Sequence, residues 1–264
     1  MLVIKELCKS FNVGTVNEKQ VLNHVNLELL EGDFVTIIGG NGAGKSTLLN
    51  MIAGVHLSDS GMITLEGKDI TLLPEHARAK FLGRVFQDPM KGTAANMEIE
   101  ENLALAYRRG KRRGLRWGIT PEEKEIYREA LQTLELGLED RMTSKVGLLS
   151  GGQRQAITLL MATMLKPKLL LLDEHTAALD PKTAAKVLDL TRQIVQKDHL
   201  TAMMVTHNMK DAIQIGNRLI MMHNGQIIYD VRGEEKAGLK VADLLEKFEQ
   251  ASGGQFANDR MMLA

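Results

Sequence analysis

The sequence predicts an α/β fold that is built on a parallel sheet. Three observations predict it: a glycine-rich loop between an apolar run and a helix-like segment, two further apolar runs that each end in polar residues, and an alternating strand pattern near the N-terminus. Ligand sites lie at the carboxyl ends of parallel strands, so the polar residues are expected to converge at one edge of the sheet. At 264 residues the chain has room for one large α/β domain or two small ones.

The glycine-rich loop carries the most specific motif. Residues 39–46 follow a G-x-x-x-x-G-K-S pattern between the apolar run Phe34–Ile38 and the helix-like segment Thr47–Ile52. Glycines let backbone N–H groups turn towards phosphate oxygens, and the positive end of the helix dipole favours the same anion. The loop predicts a nucleoside triphosphate site, in which Lys45 reaches the terminal phosphates and Ser46 offers its hydroxyl to Mg²⁺. The predicted nucleotide contacts here are Gly39, Gly40, Asn41, Gly42, Ala43, Gly44, Lys45, Ser46 and Thr47.

Two further apolar runs end in residues that suit phosphate chemistry. Leu169–Leu172 resembles a parallel strand buried on both faces, and it leads to Asp173 and Glu174. The aspartate can hold Mg²⁺, and the glutamate can orient and deprotonate an attacking water. Ala202–Thr206 leads directly to His207. A lone histidine is more often structural, but the convergence of three strand ends favours a site.

A fourth segment lies between the loop and these strands. Residues 149–155 read Leu-Ser-Gly-Gly-Gln-Arg-Gln, and Ser150 opens a helix-like stretch over Gln155–Leu165. A serine cap at a helix start favours an anion, so this segment is a second candidate for phosphate contact.

Together these segments resemble the ATP-binding cassette family, the ATPase subunits of ABC transporters. Residues 39–46 match Walker A, Leu149–Gln153 matches the LSGGQ signature letter for letter, and Leu169–Glu174 matches Walker B. The resemblance covers about residues 1–235. It implies further family positions, with the Q-loop at Gln87, the D-loop at Asp180, the switch histidine at His207 and an adenine-stacking aromatic at Phe11.

The resemblance also implies a role for each site residue. It implies catalytic roles for Glu174, His207 and Gln87, and Mg²⁺ ligands Ser46, Gln87 and Asp173. It implies that the signature acts across a dimer, through Ser150, Gly151, Gly152 and Gln153.

Two departures from the family pattern are visible. His175 stands where proline usually follows the Walker B glutamate, and Phe11 stands where tyrosine is the commoner adenine platform. Neither change removes a group that the chemistry requires. The stretch Asp173–Pro181 is similar to a bacterial branch whose members serve importers with a substrate-binding protein, for aromatic amino acids.

The fold implied is that of a P-loop NTPase with a RecA-like parallel sheet, an N-terminal antiparallel β-subdomain and an inserted helical subdomain. The ATP-binding domain is expected over residues 1–240, the helical insert over about 89–159, and a C-terminal helix with a flexible tail over 241–264. Val25–Leu29 alternates like a half-exposed strand, and residues 221–228 predict a hairpin around Asn-Gly.

The function implied is that of an ATP-hydrolysing motor that uses ATP and Mg²⁺. Each ATP would lie between the Walker A motif of one subunit and the signature of another, so a homodimer or paired ATPase subunit is expected. The other expected partners are integral-membrane permease subunits and an extracellular or periplasmic substrate-binding protein, with the chain at the cytoplasmic face of the membrane. An iron–sulfur scaffold-assembly ATPase remains the alternative, whereas a P-loop kinase has no use for residues 150–153.

Composition adds two exclusions. Lys+Arg and Asp+Glu balance at 33 each, so net charge predicts no nucleic-acid partner. The single cysteine, Cys8, excludes an internal disulfide and fits a reducing cytoplasm.

Two segments between Gln87 and the signature have open interpretations. The basic run Arg108–Arg116 suits lipid headgroups, a permease, nucleic acid, or a solvated loop balanced by nearby glutamates. These glutamates are Glu98, Glu100, Glu101, Glu122 and Glu123. The apolar residues after Gln87 predict an exposed groove for a permease helix, although they could instead pack the insert's own core; they are Met90, Ala94, Ala95, Met97 and Ile99.

Overall fold

The computed structural model describes residues 1–111 and 118–252. Its strands are β1 (Leu2–Phe11), β2 (Lys19–Leu29), β3 (Phe34–Ile38), β4 (Ser60–Leu65), β5 (Lys68–Asp69), β6 (Leu82–Val85), β7 (Leu169–Asp173), β8 (Ala202–Val205), β9 (Arg218–His223) and β10 (Gln226–Arg232). Its helices are α1 (Lys45–Ala53), α2 (Glu75–Arg78), α3 (Ile99–Tyr107), α4 (Pro121–Gln132), α5 (Gly151–Thr163), α6 (Pro181–Lys197), α7 (Met209–Gln214), α8 (Gly233–Ala237) and α9 (Val241–Ser252).

The chain forms two compact units. The first unit comprises residues 1–78 together with the described residues from 201 onwards, and the second comprises residues 79–200. The second unit is therefore an insertion in the sequence of the first. The expected helical insert, about residues 89–159, falls within the second unit, and its boundaries stay a prediction.

An antiparallel sheet forms the N-terminal part of the first unit. Its strand order is β2-β1-β4-β5. β1 pairs with β2 in the register Leu2↔Leu29 and with β4 in the register Leu2↔Leu65. Apolar residues alternate inward along these strands, and Val25, Leu27 and Leu29 are all buried. The predicted antiparallel β-subdomain is confirmed.

A second sheet in this unit is built around β3, whose five residues are all buried. β3 pairs in parallel with β8 on one side and with β9 on the other. β10 returns antiparallel to β9 through Asn224 and Gly225, both at positive φ (45° and 75°), which suits a tight hairpin. The predicted strands at 34–38 and 202–206 and the predicted hairpin are confirmed.

The second unit combines a parallel strand pair with helices. β6 and β7 run parallel in the register Leu82↔Leu169 to Val85↔Leu172. A separate apolar core joins α3, α4 and α5, and its fully buried members include Leu103, Tyr127 and Ile157. The apolar stripes of these helices meet because their buried residues recur at helical spacing.

The expectation of an exposed groove over Met90–Ile99 is wrong for Ile99. This residue begins α3 and is fully buried in the helical core. Met90 is 42% exposed, and Met97 is half-buried. The apolar residues of this segment are therefore divided between the core and the surface. Only the last of them, Ile99, points into the core, because it is the first residue of α3.

Two further expectations concern segments that are only partly described. The basic run is described to Lys111, and its residues 112–116 lie outside the described residues, as does the expected flexible tail from 253 onwards. Arg108 is ion-paired with Glu123 at 2.6 Å and donates to the Gly118 carbonyl oxygen at 2.7 Å. One glutamate near the run, Glu123, therefore balances Arg108, and the interpretation of the run as a whole stays open. None of the described helices is long and apolar enough to cross a membrane.

Candidate functional site

The phosphate loop follows β3 in the first unit, and its glycines are required by close backbone packing. A side chain at Gly39 (φ 150°) would place its Cβ 2.2 Å from the Met222 carbonyl oxygen. A Cβ at Gly44 (φ 100°) would lie 2.8 Å from both Leu22 Cδ2 and the Val21 carbonyl oxygen. Gly44 also occupies the N-cap of α1, where no side chain caps the helix. The loop therefore directs backbone, rather than side chains, towards the site.

Lys45 is folded back across this loop. Its side chain is only 5% exposed, and its Nζ donates to the carbonyl oxygens of Gly39 at 2.7 Å and Gly40 at 3.0 Å. The main-chain carbonyl dipoles therefore stabilise the buried ammonium group inside the loop. Ser46 is exposed in the first turn of the same helix.

The switch-histidine position lies at the same edge of the sheet as the phosphate loop. β3 and β8 run parallel in the register Ile37↔Val205, and Thr206 N donates to the Ile37 carbonyl oxygen at 3.1 Å. His207 comes next, and Asn208 then caps α7 through hydrogen bonds from the Lys210 and Asp211 backbone N–H groups. Two of the three expected strand ends, those of β3 and β8, are thus neighbours in the first unit.

Phe11 ends β1, and the loop after α1 supports it. The ring meets His56 edge-on, with centroids 5.2 Å apart. Asp59, in the same loop, accepts from Lys9 Nζ at 2.7 Å and from the Ser10 backbone N–H at 2.6 Å. The predicted base platform and the phosphate loop are therefore connected through α1 and its following loop. Sequence reasoning missed His56 and Asp59, because no motif spacing points to them.

The remaining predicted site residues lie in the second unit. The register Val85↔Leu172 sets the ends of β6 and β7 side by side. Gln87 follows β6, while Asp173 ends β7 and Glu174 comes directly after it. The parallel pair therefore brings the predicted Q-loop glutamine to the same sheet edge as the two Walker B carboxylates.

Arg84 is a neighbour of this edge that sequence reasoning did not find. Its Nη2 lies 3.9 Å from Asp173 Oδ2, and its guanidinium carbon lies 4.5 Å from the centre of the Phe86 ring. An arginine on a short apolar strand gives no motif signal, so only the fold shows its position.

Glu174 has an unusual backbone conformation. Its φ is 47°, in the left-handed region that side chains with a Cβ rarely adopt, and its carbonyl oxygen accepts from Ala177 N at 3.0 Å. The next residue, His175, is 2% exposed, and burial lowers its pKa to about 4. Its Nε2 lies 3.0 Å from Thr191 Oγ1 on α6.

The signature residues form a capping box at the start of α5. Ser150 Oγ accepts from Gln153 N at 3.3 Å, and Gln153 Oε1 accepts from Ser150 N at 3.2 Å. The neighbouring Arg154 donates to the carbonyl oxygens of Val146, Gly147 and Leu149, which shapes the turn ahead of the signature. Arg154 is a further residue that the motif alone did not identify as important.

The second signature glycine is required by helix packing. A Cβ on Gly152 would lie 2.2 Å from Thr183 Cγ2 of α6. Asp180 caps that helix by accepting from Thr183 N at 3.1 Å, and hydrogen bonds from the Thr183 side chain and backbone hold the pKa of Asp180 below its ordinary value. Signature and D-loop positions are therefore packed together through the first turns of α5 and α6.

The donor chemistry in the second unit suits Mg²⁺. Gln87 offers an amide oxygen and Asp173 a carboxylate at one sheet edge, and oxygen ligands are what Mg²⁺ prefers. Mg²⁺ commonly keeps several waters and takes few protein ligands together with substrate phosphates, so no larger carboxylate cluster is needed.

A glycine-rich loop between a central parallel strand and a helix defines a P-loop nucleoside triphosphatase. A family model described as ABC transporter matches residues 22–177, more than half of the chain. The chain belongs to this family as an ATP-binding subunit, and it hydrolyses ATP.

Named relatives are transport ATP-binding proteins. The chain is 46% identical to the tyrosine transport ATP-binding protein of Clostridioides difficile (strain R20291), over 95% of this chain and 100% of the relative. It is 36% identical to the sulfate/thiosulfate import ATP-binding protein CysA of Methylococcus capsulatus, over 85% of this chain but 61% of that protein. These relatives give no support to the alternative of an iron–sulfur assembly ATPase.

Solved structures show the same fold. A dimeric ATP-binding cassette in a post-hydrolysis state, bound to ADP and Pi, superposes with a TM-score of 0.74 at 30% identity, over 88% of this chain and 98% of that chain. The ADP conformation of an ATP-binding cassette of an ABC transporter superposes with a TM-score of 0.74 at 29% identity, over 93% of this chain and 98% of that chain. The predicted α/β P-loop fold is confirmed.

Proposed function

We propose that this chain is the ATP-hydrolysing subunit of an importer for aromatic amino acids. Two copies act with integral-membrane permease subunits at the cytoplasmic face of the membrane, and a substrate-binding protein delivers the cargo. The observation that carries the cargo class is the 46% identity to a tyrosine transport ATP-binding protein along that protein's whole length. By contrast, the match to CysA covers only 61% of that relative.

The proposed chemistry assigns each residue one task. Lys45 and the loop backbone hold the β- and γ-phosphates. Ser46, Asp173 and Gln87 are the residues that would hold Mg²⁺, and the metal would neutralise charge on the phosphates. Glu174 takes a proton from the attacking water as its oxygen bonds to the γ-phosphorus. The bond to the β–γ bridging oxygen breaks, and ADP and phosphate leave.

Three further assignments complete the proposed site. Phe11 stacks on the adenine, because the ring is held at a strand end by the Lys9–Asp59 pair and the edge of His56. His207 contacts the γ-phosphate region from the end of β8, beside the phosphate loop. The signature and Asp180 act on the nucleotide of the other copy, where the N-terminus of α5 favours phosphate charge.

The proposed permease surface is a cleft on the helical part of the second unit. This cleft measures about 370 Å³, and its lining includes Met97, Ala104, Leu105 and Ile119. Leu105 is 54% exposed on α3 although it is apolar. Charged side chains line the rest of the cleft, so the exposed leucine suits a short amphipathic segment of a partner. The charged residues are Glu98, Glu100, Glu101, Arg108 and Lys124.

Replacing Glu174 with glutamine tests the catalytic assignment. Turnover should fall roughly 10²–10⁴-fold, the usual worth of a positioned general base, while ATP affinity stays near that of the wild type. Phosphate release and equilibrium binding of ATP measure the two quantities separately. Turnover at the wild-type rate would remove Glu174 from the proposed mechanism.

Reconstitution tests the cargo class. The chain is assembled in liposomes with the permease and binding protein encoded beside its gene, and ATP hydrolysis is measured with tyrosine, phenylalanine, spermidine or sulfate present. Only the aromatic amino acids should stimulate hydrolysis and accumulate inside. Stimulation by spermidine or sulfate instead would contradict the proposed cargo while leaving the ATPase assignment intact.

A further inference from the structure

The segment after β7 holds its catalytic candidate in a strained conformation. Glu174 adopts φ 47°, and a residue with a Cβ stays in this region only when its surroundings determine it. On one side the parallel pairing of β7 with β6 fixes the chain as far as Leu172. The contacts of the chain that follows Glu174 are therefore important for the direction of the Glu174 carboxylate.

His175 provides that second anchor. Its imidazole is 2% exposed, and Nε2 lies 3.0 Å from Thr191 Oγ1 on α6. Thr191 is fully buried, and its hydroxyl donates to the Val187 carbonyl oxygen at 2.8 Å. A hydroxyl has one proton, so Thr191 accepts from the histidine, and the imidazole carries its proton on Nε2. The result is a directed chain of hydrogen bonds from His175 through Thr191 to the helix backbone.

The helix that receives this anchor is itself fixed near its start. Asp180 caps α6, and Gly152 of α5 approaches Thr183 so closely that a Cβ would lie 2.2 Å from its methyl group. His175 therefore attaches the residue after Glu174 to an element with little freedom to shift.

We propose that His175 is a positioning residue for ATP hydrolysis, and that its hydrogen bond to Thr191 fixes the direction of the Glu174 carboxylate. The inference rests on the proposed role of Glu174 as the base. Loss of the anchor lets the strained turn relax, which moves the carboxylate relative to the attacking water. A displacement of about 1 Å at a reacting group can lower the rate by as much as roughly 10²-fold.

Two substitutions at Thr191 separate positioning from packing. Thr191→Val keeps the branched shape but removes the accepting oxygen, whereas Thr191→Ser keeps the oxygen but removes a buried methyl group. Both variants should melt at a lower temperature, one through an unpaired buried N–H and the other through lost contacts. A purely structural role predicts that activity follows the melting temperature in both variants.

The proposal predicts a different pattern. In phosphate-release assays Thr191→Val should lower kcat about 10-fold with an unchanged affinity for ATP, and Thr191→Ser should stay within about twofold of the wild type. Equal kcat in Thr191→Val and the wild type, or equal losses in both variants, would overturn the proposal. If Thr191→Val does not fold, His175→Gln (a donor retained) and His175→Leu (no donor) make the same comparison.

A double variant shows whether the effect passes through Glu174. Adding Thr191→Val to Glu174→Gln should lower kcat no further, because the positioned carboxylate is already absent. An additional 10-fold loss would show that the His175–Thr191 bond acts elsewhere and would overturn the proposal. Wild-type turnover in Glu174→Gln alone would instead contradict the proposed base, so the two failures are distinguishable.

Discussion

Lys45 shows how a single residue connects the fold to the chemistry. Burying an ammonium group costs free energy unless dipoles or anions surround it. The carbonyl oxygens of Gly39 and Gly40 supply that environment, since the loop curls back on its own lysine. The cation therefore lies inside the loop, where its proposed role is to bind the phosphates of a nucleotide.

Lys45 and Phe11 should separate the phosphate and base contributions to binding. Lys45→Ala should weaken the binding of both ATP and inorganic tripolyphosphate, because both ligands present phosphate charge to the loop. Phe11→Ala should weaken the binding of ATP by roughly 1 kcal/mol, which is in the range of an aromatic stacking contact, and leave the binding of tripolyphosphate unchanged. Displacement of a fluorescent ATP analogue measures both ligands. Loss of tripolyphosphate binding in Phe11→Ala would show that this residue is not the base platform.

The residues of the site were predictable only where spacing encodes them. Glycines, Lys45 and Ser46 follow a fixed pattern along the chain, so the sequence was enough for the phosphate loop. The supports of the site follow no such pattern. His56 and Arg84 reach Phe11 and Asp173 only through tertiary folding, and the spacing of residues along one chain carries no signal for such contacts.

At the scale of elements, the helical core of the second unit contains a polar exception. Tyr127 of α4 is fully buried, and its hydroxyl has no hydrogen-bond partner among the described residues. Burial raises the pKa of Tyr127 to about 12, so the group stays protonated at neutral pH. Its ring meets Tyr107 edge-on with centroids 5.8 Å apart, so the ring itself contributes packing.

Tyr127→Phe should therefore raise stability. The ring and its contacts remain, while an unsatisfied buried hydroxyl disappears, and the gain should be about 1 kcal/mol in the free energy of unfolding. Urea unfolding followed by circular dichroism measures the change, with Tyr107→Phe as the control at a partly buried tyrosine. A loss of stability in Tyr127→Phe would indicate that the hydroxyl has a partner, such as an internal water.

The strands were easier to predict than the helical surface. Runs such as Phe34–Ile38 and Leu169–Leu172 are buried on both faces, so a continuous apolar sequence was sufficient to predict them. The sequence does not show that Ile99 is buried, because a short apolar series does not specify a face of the helix. In the structure Ile99 and Leu103 are one helical turn apart and both are buried, which leaves Leu105 on the exposed side.

A charge introduced at Leu105 and a charge introduced at Ile99 should have different effects on stability and on membrane recovery. Leu105→Asp should leave folding and basal ATP hydrolysis unchanged but prevent recovery of the chain with membranes that contain the permease. Ile99→Asp should instead lower stability by several kcal/mol, because a buried charge enters the helical core. Sedimentation with membranes and thermal unfolding separate the two. Normal membrane recovery of Leu105→Asp would move the docking surface elsewhere.

At the scale of the whole molecule, the sequence carried the order of the family motifs but not the geometry of assembly. Walker A lies in the first unit, whereas the signature and Walker B lie in the second. The similarity to a dimeric cassette bound to ADP and Pi supports a shared site, but the partner's contacts depend on a second chain. In the proposed importer the cargo contacts belong to other proteins, so the sequence of this chain encodes the motor far more fully than the substrate.

Mixing two inactive variants tests most directly whether ATP sites are shared between two copies. Lys45→Ala damages the phosphate loop and Ser150→Arg damages the signature, so each homodimer should be inactive. A mixed dimer pairs both damaged motifs in one site and both intact motifs in the other. A mixture of wild type with Ser150→Arg is the control: phosphate release above that of its wild-type homodimers shows that a mixed dimer with one intact site is active. We expect phosphate release to reappear in the mixture of the two variants, whereas a mixture as inactive as its parents, beside an active control, would contradict the shared site.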